Sequence, residues 1–233
     1  MSPKLTTVAF DADDTLWHNE RFFHLTQEHF AELLADYTDK DRLMQRLLAA
    51  ERRNLGHYGF GIKGFVLSMI ETAIEVTEEK VPARVIAQLL EAGQDMLQHP
   101  IELLPHARQA VETVAQSHRV LLITKGDLMD QERKLAQSGI GEMFHGVEIV
   151  SNKTPEVYAR IFAAHGDGAE KSMMVGNSMR SDVVPMVEIG GWGVFVPHGL
   201  EWEIEKADPP DGHHRYRDIP DLSHLAELVE QIG

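Results

Sequence analysis

Cysteine is absent from the 233 residues, which excludes disulfides, thiolate metal sites and a cysteine nucleophile. The usual sign of a secreted scaffold goes with it. Basic residues are in short supply: 22 Lys and Arg stand against 37 Asp and Glu, a formal net charge of −15 with His neutral. No Lys/Arg run supplies a local basic patch, so neither a nucleic acid nor an anionic membrane is an expected partner. Long apolar runs are missing too. No segment reaches the roughly 18 uninterrupted residues needed to span a bilayer, and the longest candidate, Ile189–Leu200, is short and broken by glycines. Met1–Ala9 carries no signal-peptide core, and a soluble cytoplasmic protein is the expectation. What is present, 43% hydrophobic and 25% charged residues, is ordinary globular usage and excludes disorder, collagen and coiled coil as whole-chain descriptions. The length suits one domain carrying a sizeable insertion.

Five short apolar runs, Leu5–Phe10, Val120–Ile123, Val147–Val150, Met173–Val175 and Val194–Val196, predict strands. Helical stretches precede the last four. Ala107, Ala110, Val111 and Val114 follow helical spacing behind Pro105. Leu128–Ser138 ends at Gly139, Thr154-Pro155 reads as an N-cap and first helical residue, Met179–Ile189 ends at Gly190-Gly191, and Asp221–Ile232 closes the chain. This alternation predicts an α/β fold, a Rossmann-like doubly wound parallel sheet. Between Asp14 and Val120 the pattern is almost wholly helical, with apolar stripes Phe30-Leu33-Leu34-Tyr37, Val66-Met69-Ile70-Ala73 and Ile86-Leu89-Leu90-Met96. The expected organisation is a core of residues 1–16 and 100–233 with an all-helical insertion at 17–99. The charged, Pro-rich segment Glu201–Arg217 has no assignable period.

Ligands of open parallel sheets bind beyond the carboxyl ends of the strands. There the sequence places Asp11-Ala12-Asp13-Asp14-Thr15, Thr124-Lys125-Gly126-Asp127, Ser151-Asn152-Lys153 and Gly176-Asn177-Ser178-Met179-Arg180-Ser181-Asp182. Each alone is an ordinary polar loop; together they bring carboxylates, hydroxyls, an amide and a lysine to one face. Carboxylates held this close need a cation or raised pKa values. With no His or Cys in these four loops, a hard cation bound through oxygen fits best, and Mg²⁺ foremost. Lys153, Thr124, Ser178 and backbone N–H groups add donors, which together make a receptor for a phosphoryl group. A carboxylate can itself be the nucleophile.

The run Phe10-Asp11-Ala12-Asp13-Asp14-Thr15-Leu16 resembles the DxDxT motif of the haloacid dehalogenase-like (HAD) superfamily. Thr124 after a strand, Lys153 in Ser-Asn-Lys-Thr-Pro and the stretch Gly176–Asp182 are similar to its second, third and fourth motifs. The resemblance covers the whole core and makes the helical insertion a C1-type cap. It implies a Mg²⁺-dependent phosphatase acting on a small phosphorylated metabolite. Asp11 would be the nucleophile and Asp13 the general acid and base. Thr124, Lys125 and Lys153 would face the phosphoryl group, and Asp11, the Asp13 main-chain carbonyl, Asn177 and Asp182 would hold the metal. Thr15 reads as a loop-shaping hydroxyl. Asn177 departs from the family pattern, which has an acid there; its amide oxygen can ligate Mg²⁺ but brings no charge. The superfamily's metal-free 2-haloacid dehalogenases also use asparagine and serine here. They lack an acid at the place of Asp13, because halide leaves without a proton, so Asp13 argues for phosphate chemistry. A phosphomutase shares the same motifs. A receiver-like phospho-signalling domain or a degenerate binding module is the non-enzyme alternative, disfavoured by the helical insertion and the Asp11–Asp13 pair. No motif assigns an oligomeric state.

Other signals read as structural. Gly59-Phe60-Gly61-Ile62-Lys63-Gly64 fits the dinucleotide pattern literally, but a helix precedes it rather than a strand. The better readings are a cap turn offering His57, Tyr58 and Lys63 to a substrate, or a plain helix–helix turn. The thirteen histidines, His18, His24, His29 and the His213-His214 pair among them, show no ligand spacing and are expected on the surface or in the cap. Arg180 is expected to touch phosphate or a neighbouring carboxylate, and Trp192 and Trp202 to pack beside the last strand.

Overall fold

The structure, a computed structural model, describes residues 4–233. Six parallel strands, β1 (Thr7–Phe10), β2 (Arg119–Lys125), β3 (Gly146–Val150), β4 (Ser172–Gly176), β5 (Trp192–Phe195) and β6 (Tyr216–Asp218), form one sheet in the order β3-β2-β1-β4-β5-β6. The helices are α1 (Glu20–Leu33), α2 (Lys40–Tyr58), α3 (Ile62–Val76), α4 (Ala83–Gln98), α5 (Ala107–Ala115), α6 (Leu128–Ser138), α7 (Pro155–His165), α8 (Val184–Glu188) and α9 (Leu225–Ile232). This is the α/β, Rossmann-like sheet that the strand–helix alternation predicts.

Both sheet faces are covered, and the pleat sorts the strand residues between them. Val8, Phe10, Val120, Leu122, Met173 and Val175 pack with α5 and α9. Ala9, Leu121, Ile123 and Met174 pack with α7 through Tyr158, Ile161 and Phe162. The order reverses at β1: the chain winds outward through β2 and β3, then returns to β4 on the other side. A crevice at the carboxyl ends of β1 and β4 is the consequence, and there Asp11 N–H donates to Val175 O at 2.9 Å.

Thr154 caps α7 by accepting from Val157 N–H, with Pro155 next. Gly139 ends α6 at φ 66°, a left-handed value that suits glycine. Helix α5 begins after Pro105, behind a left-handed His106. The expected helix Met179–Ile189 is instead a π-turn, Met179–Val183, running into the short α8. Pro185 has no N–H to give back to Ser181, and the Tyr158 hydroxyl takes that carbonyl at 2.9 Å. Strand β6 lies at the end of the stretch left unassigned; three residues are too few to show a period.

The described residues divide into two compact units, one of residues 4–20, 101–125 and 131–233, the other of residues 21–100 and 126–130. Trp17–Glu20, expected in the insertion, group with the sheet. Trp17 is almost wholly buried among sheet-core residues and bridges to Asp13 and Leu103. In the helical unit Phe30, Leu34, Leu43, Leu47, Phe65, Met69, Ala73, Val85 and Leu89 form the core. Three expected stripe members fall outside it: Tyr37 lies beyond the end of α1, Leu90 is exposed, and Ile86 is only half-buried, its neighbour Val85 being the core residue of that turn. Helices α3 and α4 meet at Gly93, where any Cβ would overlap Val66. The glycine run is a turn between α2 and α3, with Gly59 at φ 71° and Gly61 at φ 118°. No strand precedes it, and Lys63 pairs with Asp127 at 2.8 Å.

Candidate active site

The loop after β1 carries the first group. Asp11 is buried and its Oδ1 pairs with Lys153 Nζ. The same ammonium reaches Asp182 Oδ1 at 2.6 Å, so one lysine, 4% exposed, joins two carboxylates from different strand ends. Burial pushes the Asp11 carboxyl up to about 7, with Lys153 pulling it down and Asp182 pushing it further up. Burial alone would lower the Lys153 ammonium, but Asp11 and Asp182 outweigh it and lift the group above its usual range.

Asp182 is completely buried and both its oxygens are engaged: Oδ1 by Lys153 and Oδ2 by the Ser178 N–H at 3.0 Å. It sits on the π-turn so close to β4 that a Cβ on Gly176 would overlap its Oδ2. Glycine at 176 is therefore a packing requirement of Asp182. Asn177 lies beside Thr15. The Thr15 hydroxyl accepts from Asn177 N–H at 3.1 Å and faces two acceptors, Asn177 Oδ1 at 3.1 Å and Asp11 Oδ2 at 3.3 Å. One hydroxyl proton cannot serve both. Thr15 shapes the loop, as expected, and it does so by joining β1 and β4.

Asp13 is built differently. Its Oδ1 accepts from Trp17 Nε1 at 2.8 Å and Lys134 Nζ at 2.9 Å, and its Oδ2 from Gln131 Nε2 at 3.0 Å. Gln131 also donates to Thr124 Oγ1 at 2.8 Å, tying Asp13 to the hydroxyl at the end of β2. The side chains of Asp11, Asp13 and Asp182 do not close into one cluster. Among the described residues the one group of three acidic or imidazole side chains with ligand atoms within 4.8 Å of one another is Asp14, His18 and His198. Lys125 turns to Glu205 Oε1 at 2.6 Å and Ser181 Oγ at 2.7 Å. Burial drives Lys125 below the usual lysine range. Burial would raise Glu205, but Lys125 and the hydroxyls of Ser178 and Ser181 hold it below the usual carboxylate range. Arg180 donates to the Ile204 carbonyl at 3.0 Å, not to the expected carboxylate.

Several of these partners escape a reading of strand ends. Gln131 and Lys134 lie about one and two turns into α6, three residues apart on one face, and the polar face of the helix that follows β2 could have found them. Glu205 comes from the aperiodic segment after β5, where no pattern signals it. His198 follows β5 as Asp11 follows β1, and the same strand-end rule applied to the fifth strand finds it. Its side chain is 9% exposed, which corrects the expectation of surface histidines. Asp14 takes a left-handed φ of 59° and accepts from Asn19 and Glu20 N–H at 2.8 Å each. Burial raises its carboxyl to about 7.

A family model of haloacid dehalogenase-like hydrolases matches residues 5–190. A haloacid dehalogenase-like family hydrolase from Xanthomonas campestris is 43% identical, with 98% of this chain and 91% of that chain covered and a TM-score of 0.87. The HAD-hydrolase YfnB from Bacillus subtilis, bound to magnesium, is 14% identical over 97% and 99% of the two chains, with a TM-score of 0.67. A 2-haloacid dehalogenase from Pseudomonas syringae is 17% identical over 98% and 100%, with a TM-score of 0.60. No curated protein matches. No described helix is long and apolar enough to cross a membrane.

Proposed function

The chain belongs to the haloacid dehalogenase-like hydrolase family, and within it we propose a Mg²⁺-dependent phosphatase that acts on a small phosphorylated metabolite through an aspartyl-phosphate on Asp11. The observation that carries this reading is Asp13. Phosphate monoesters leave as poor alkoxides and need a proton, whereas halide does not. Asp13 stands two residues beyond Asp11, held by Trp17, Gln131 and Lys134.

The residues fit a hard dication. Asp11 Oδ2 and Asn177 Oδ1 converge on one Thr15 hydroxyl that can satisfy one of them at a time, and both are oxygen donors of the kind Mg²⁺ prefers. With the Asp13 main-chain carbonyl they form the proposed ligand set. Bound there, Mg²⁺ would neutralise phosphoryl charge. Asp182 is assigned a different part. Its oxygens are taken by Lys153 and Ser178 N–H, so it fixes the ammonium that Lys153 directs at Asp11. In the reaction Asp11 attacks phosphorus while Asp13 gives a proton to the leaving oxygen. Lys153 and Thr124 hold the phosphoryl oxygens. Asp13, now a carboxylate, then takes a proton from the water that opens the acyl phosphate.

The test is phosphate release from an aryl phosphate with and without Mg²⁺, followed by intact mass after acid quench of Asp11→Asn and Asp13→Asn. A phosphate adduct should accumulate on Asp13→Asn, because loss of the base slows hydrolysis by about 10²- to 10⁴-fold, and should be absent from Asp11→Asn. Full activity in excess chelator sinks the metal assignment, and no phosphate release with or without Mg²⁺ sinks the phosphatase and favours dehalogenation. An adduct on Asp11→Asn places the nucleophile elsewhere.

A further inference from the structure

Outside the groups assigned to phosphoryl transfer, Asp14, His18 and His198 stand together, each offering a ligand atom within 4.8 Å of the other two. We propose that they form a second metal site, for a first-row transition dication such as Zn²⁺, Co²⁺ or Ni²⁺.

Two imidazoles and one carboxylate are the donors such ions select, whereas Mg²⁺ favours oxygen alone. Tetrahedral bonds of roughly 2.0–2.2 Å set ligand atoms roughly 3.3–3.6 Å apart. His198 Nε2 lies 3.3 Å from Asp14 Oδ1, already at that spacing. The His18 ring stands edge-on to the His198 ring, centroids 5.6 Å apart, so a small rotation of His18 closes the third side. The carboxylate is pre-oriented: each Asp14 oxygen accepts one backbone N–H, from Asn19 and Glu20, and keeps a lone pair. Supporting hydrogen bonds of this kind orient metal ligands.

A second observation points the same way. The His198 side chain is 9% exposed, so its Nε2 and the Asp14 carboxylate meet out of bulk water, where buried charge is paired or coordinates a metal. Asp14 is also held in the left-handed region that non-glycine residues rarely enter, and that conformation sets its carboxylate beside His198. The three ligands come from the loop after β1 and the loop after β5, so a bound ion would clip these segments of the sheet unit together. None of them is a group proposed above to act on the phosphoryl group, and the inference does not rest on that mechanism.

The experiment uses the full chain, stripped with chelator and titrated with Co²⁺ and with Zn²⁺, followed by visible absorption and calorimetry. One tight site is expected, with Co²⁺ bands displaced by Zn²⁺ and retained in millimolar Mg²⁺. His198→Gln and His18→Asn, each checked for folding by circular dichroism, should weaken binding by more than the about 10- to 100-fold that a supporting residue costs. Asp11→Asn should leave it unchanged, which separates this site from the proposed Mg²⁺ site. Binding no tighter than millimolar, binding that survives both histidine variants, or binding lost with Asp11→Asn or displaced by Mg²⁺ overturns the proposal.

Discussion

Asp182→Asn separates two roles that sequence alone leaves joined, metal ligand and partner of Lys153. The carboxylate is completely buried and accepts from two donors, the Lys153 ammonium at 2.6 Å and Ser178 N–H at 3.0 Å. An asparagine has one oxygen. If that oxygen keeps Ser178, the amide NH₂ faces the ammonium; if it turns to Lys153, the NH₂ faces the backbone N–H. Either way a buried donor meets a donor. Breaking one side of a buried ion pair costs about 3–5 kcal/mol, out of a total stability of about 5–15 kcal/mol. For a chain of this size each kcal/mol moves Tm by about 2–4 °C, so a fall of roughly 6–20 °C is expected. Asp11 remains on Lys153 and places the result toward the lower end.

The same substitution removes a charge that pushes the Asp11 carboxyl up. Activity needs Asp11 ionised, so the acid limb of kcat/KM should move to lower pH, while the Mg²⁺ concentration for half-activity stays within about threefold, the context scatter of a single interaction. The assays are thermal unfolding, a pH profile on an aryl phosphate and a Mg²⁺ titration. Unchanged Tm together with a tenfold or greater rise in the Mg²⁺ requirement would refute the reasoning and make Asp182 a direct ligand.

Gly176→Ala should lower Tm about as far as Asp182→Asn without changing any charge, because its Cβ overlaps Asp182 Oδ2; a wild-type Tm in this variant would show that the carboxylate can move freely. Asn177→Asp should lower the Mg²⁺ concentration for half-activity, and an equal or higher value would remove Asn177 from the ligand set. For the wild type at limiting Mg²⁺, kcat/KM should rise with pH through about 7, where the buried Asp11 ionises, and the limb should fall to lower pH at saturating Mg²⁺; a limb that ignores Mg²⁺ separates the metal from Asp11. Stability should run the other way between pH 4 and 7. Asp11 and Asp14 are both raised from 3.8 to about 7, so in that window the folded state holds protons the unfolded chain has released. Each then removes up to about 1.4 kcal/mol per pH unit as pH rises, readable as a falling denaturation midpoint; a midpoint that climbs across the window contradicts the buried carboxyls.

What the sequence made legible follows from the physics of each element. Strands such as Val120–Ile123 announce themselves because both faces of a parallel strand are buried and every residue is apolar. Asp11 and Asn177 are legible because they directly follow β1 and β4, and Thr124 and Lys153 because they lie within three residues of the ends of β2 and β3, where an apolar run gives way to polar residues. The partners that tune them are not, since Glu205 reaches Lys125 from eighty residues away in sequence and sits in a segment, Glu201–Arg217, that carries no period. The π-turn at Met179–Val183 hides behind a helical pattern because Pro185 breaks the ladder without breaking the apolar spacing. His18 and His198 show no ligand spacing because that spacing presumes one helix, and these two residues meet through the fold.

Formal charge at the site explains what an amide at 177 does. Lys153 serves Asp11 and Asp182, Lys134 serves Asp13 and Lys125 serves Glu205. Four carboxylates face three ammoniums, and the surplus negative charge sits on the Asp11–Lys153–Asp182 unit. A phosphate dianion approaching that unit is repelled, and in a buried setting the repulsion is weakly screened. A dication on the proposed ligands reverses the sign and leaves one net positive charge to meet the phosphoryl group. An aspartate at 177 would grip the cation harder but cancel that remaining charge, so tighter metal would come with weaker phosphate. On the proposed ligand set Asn177 would set the balance toward the substrate: the metal would be held by one carboxylate, a backbone carbonyl and an amide, and the charge it brings would stay available to the group that Asp11 is proposed to attack.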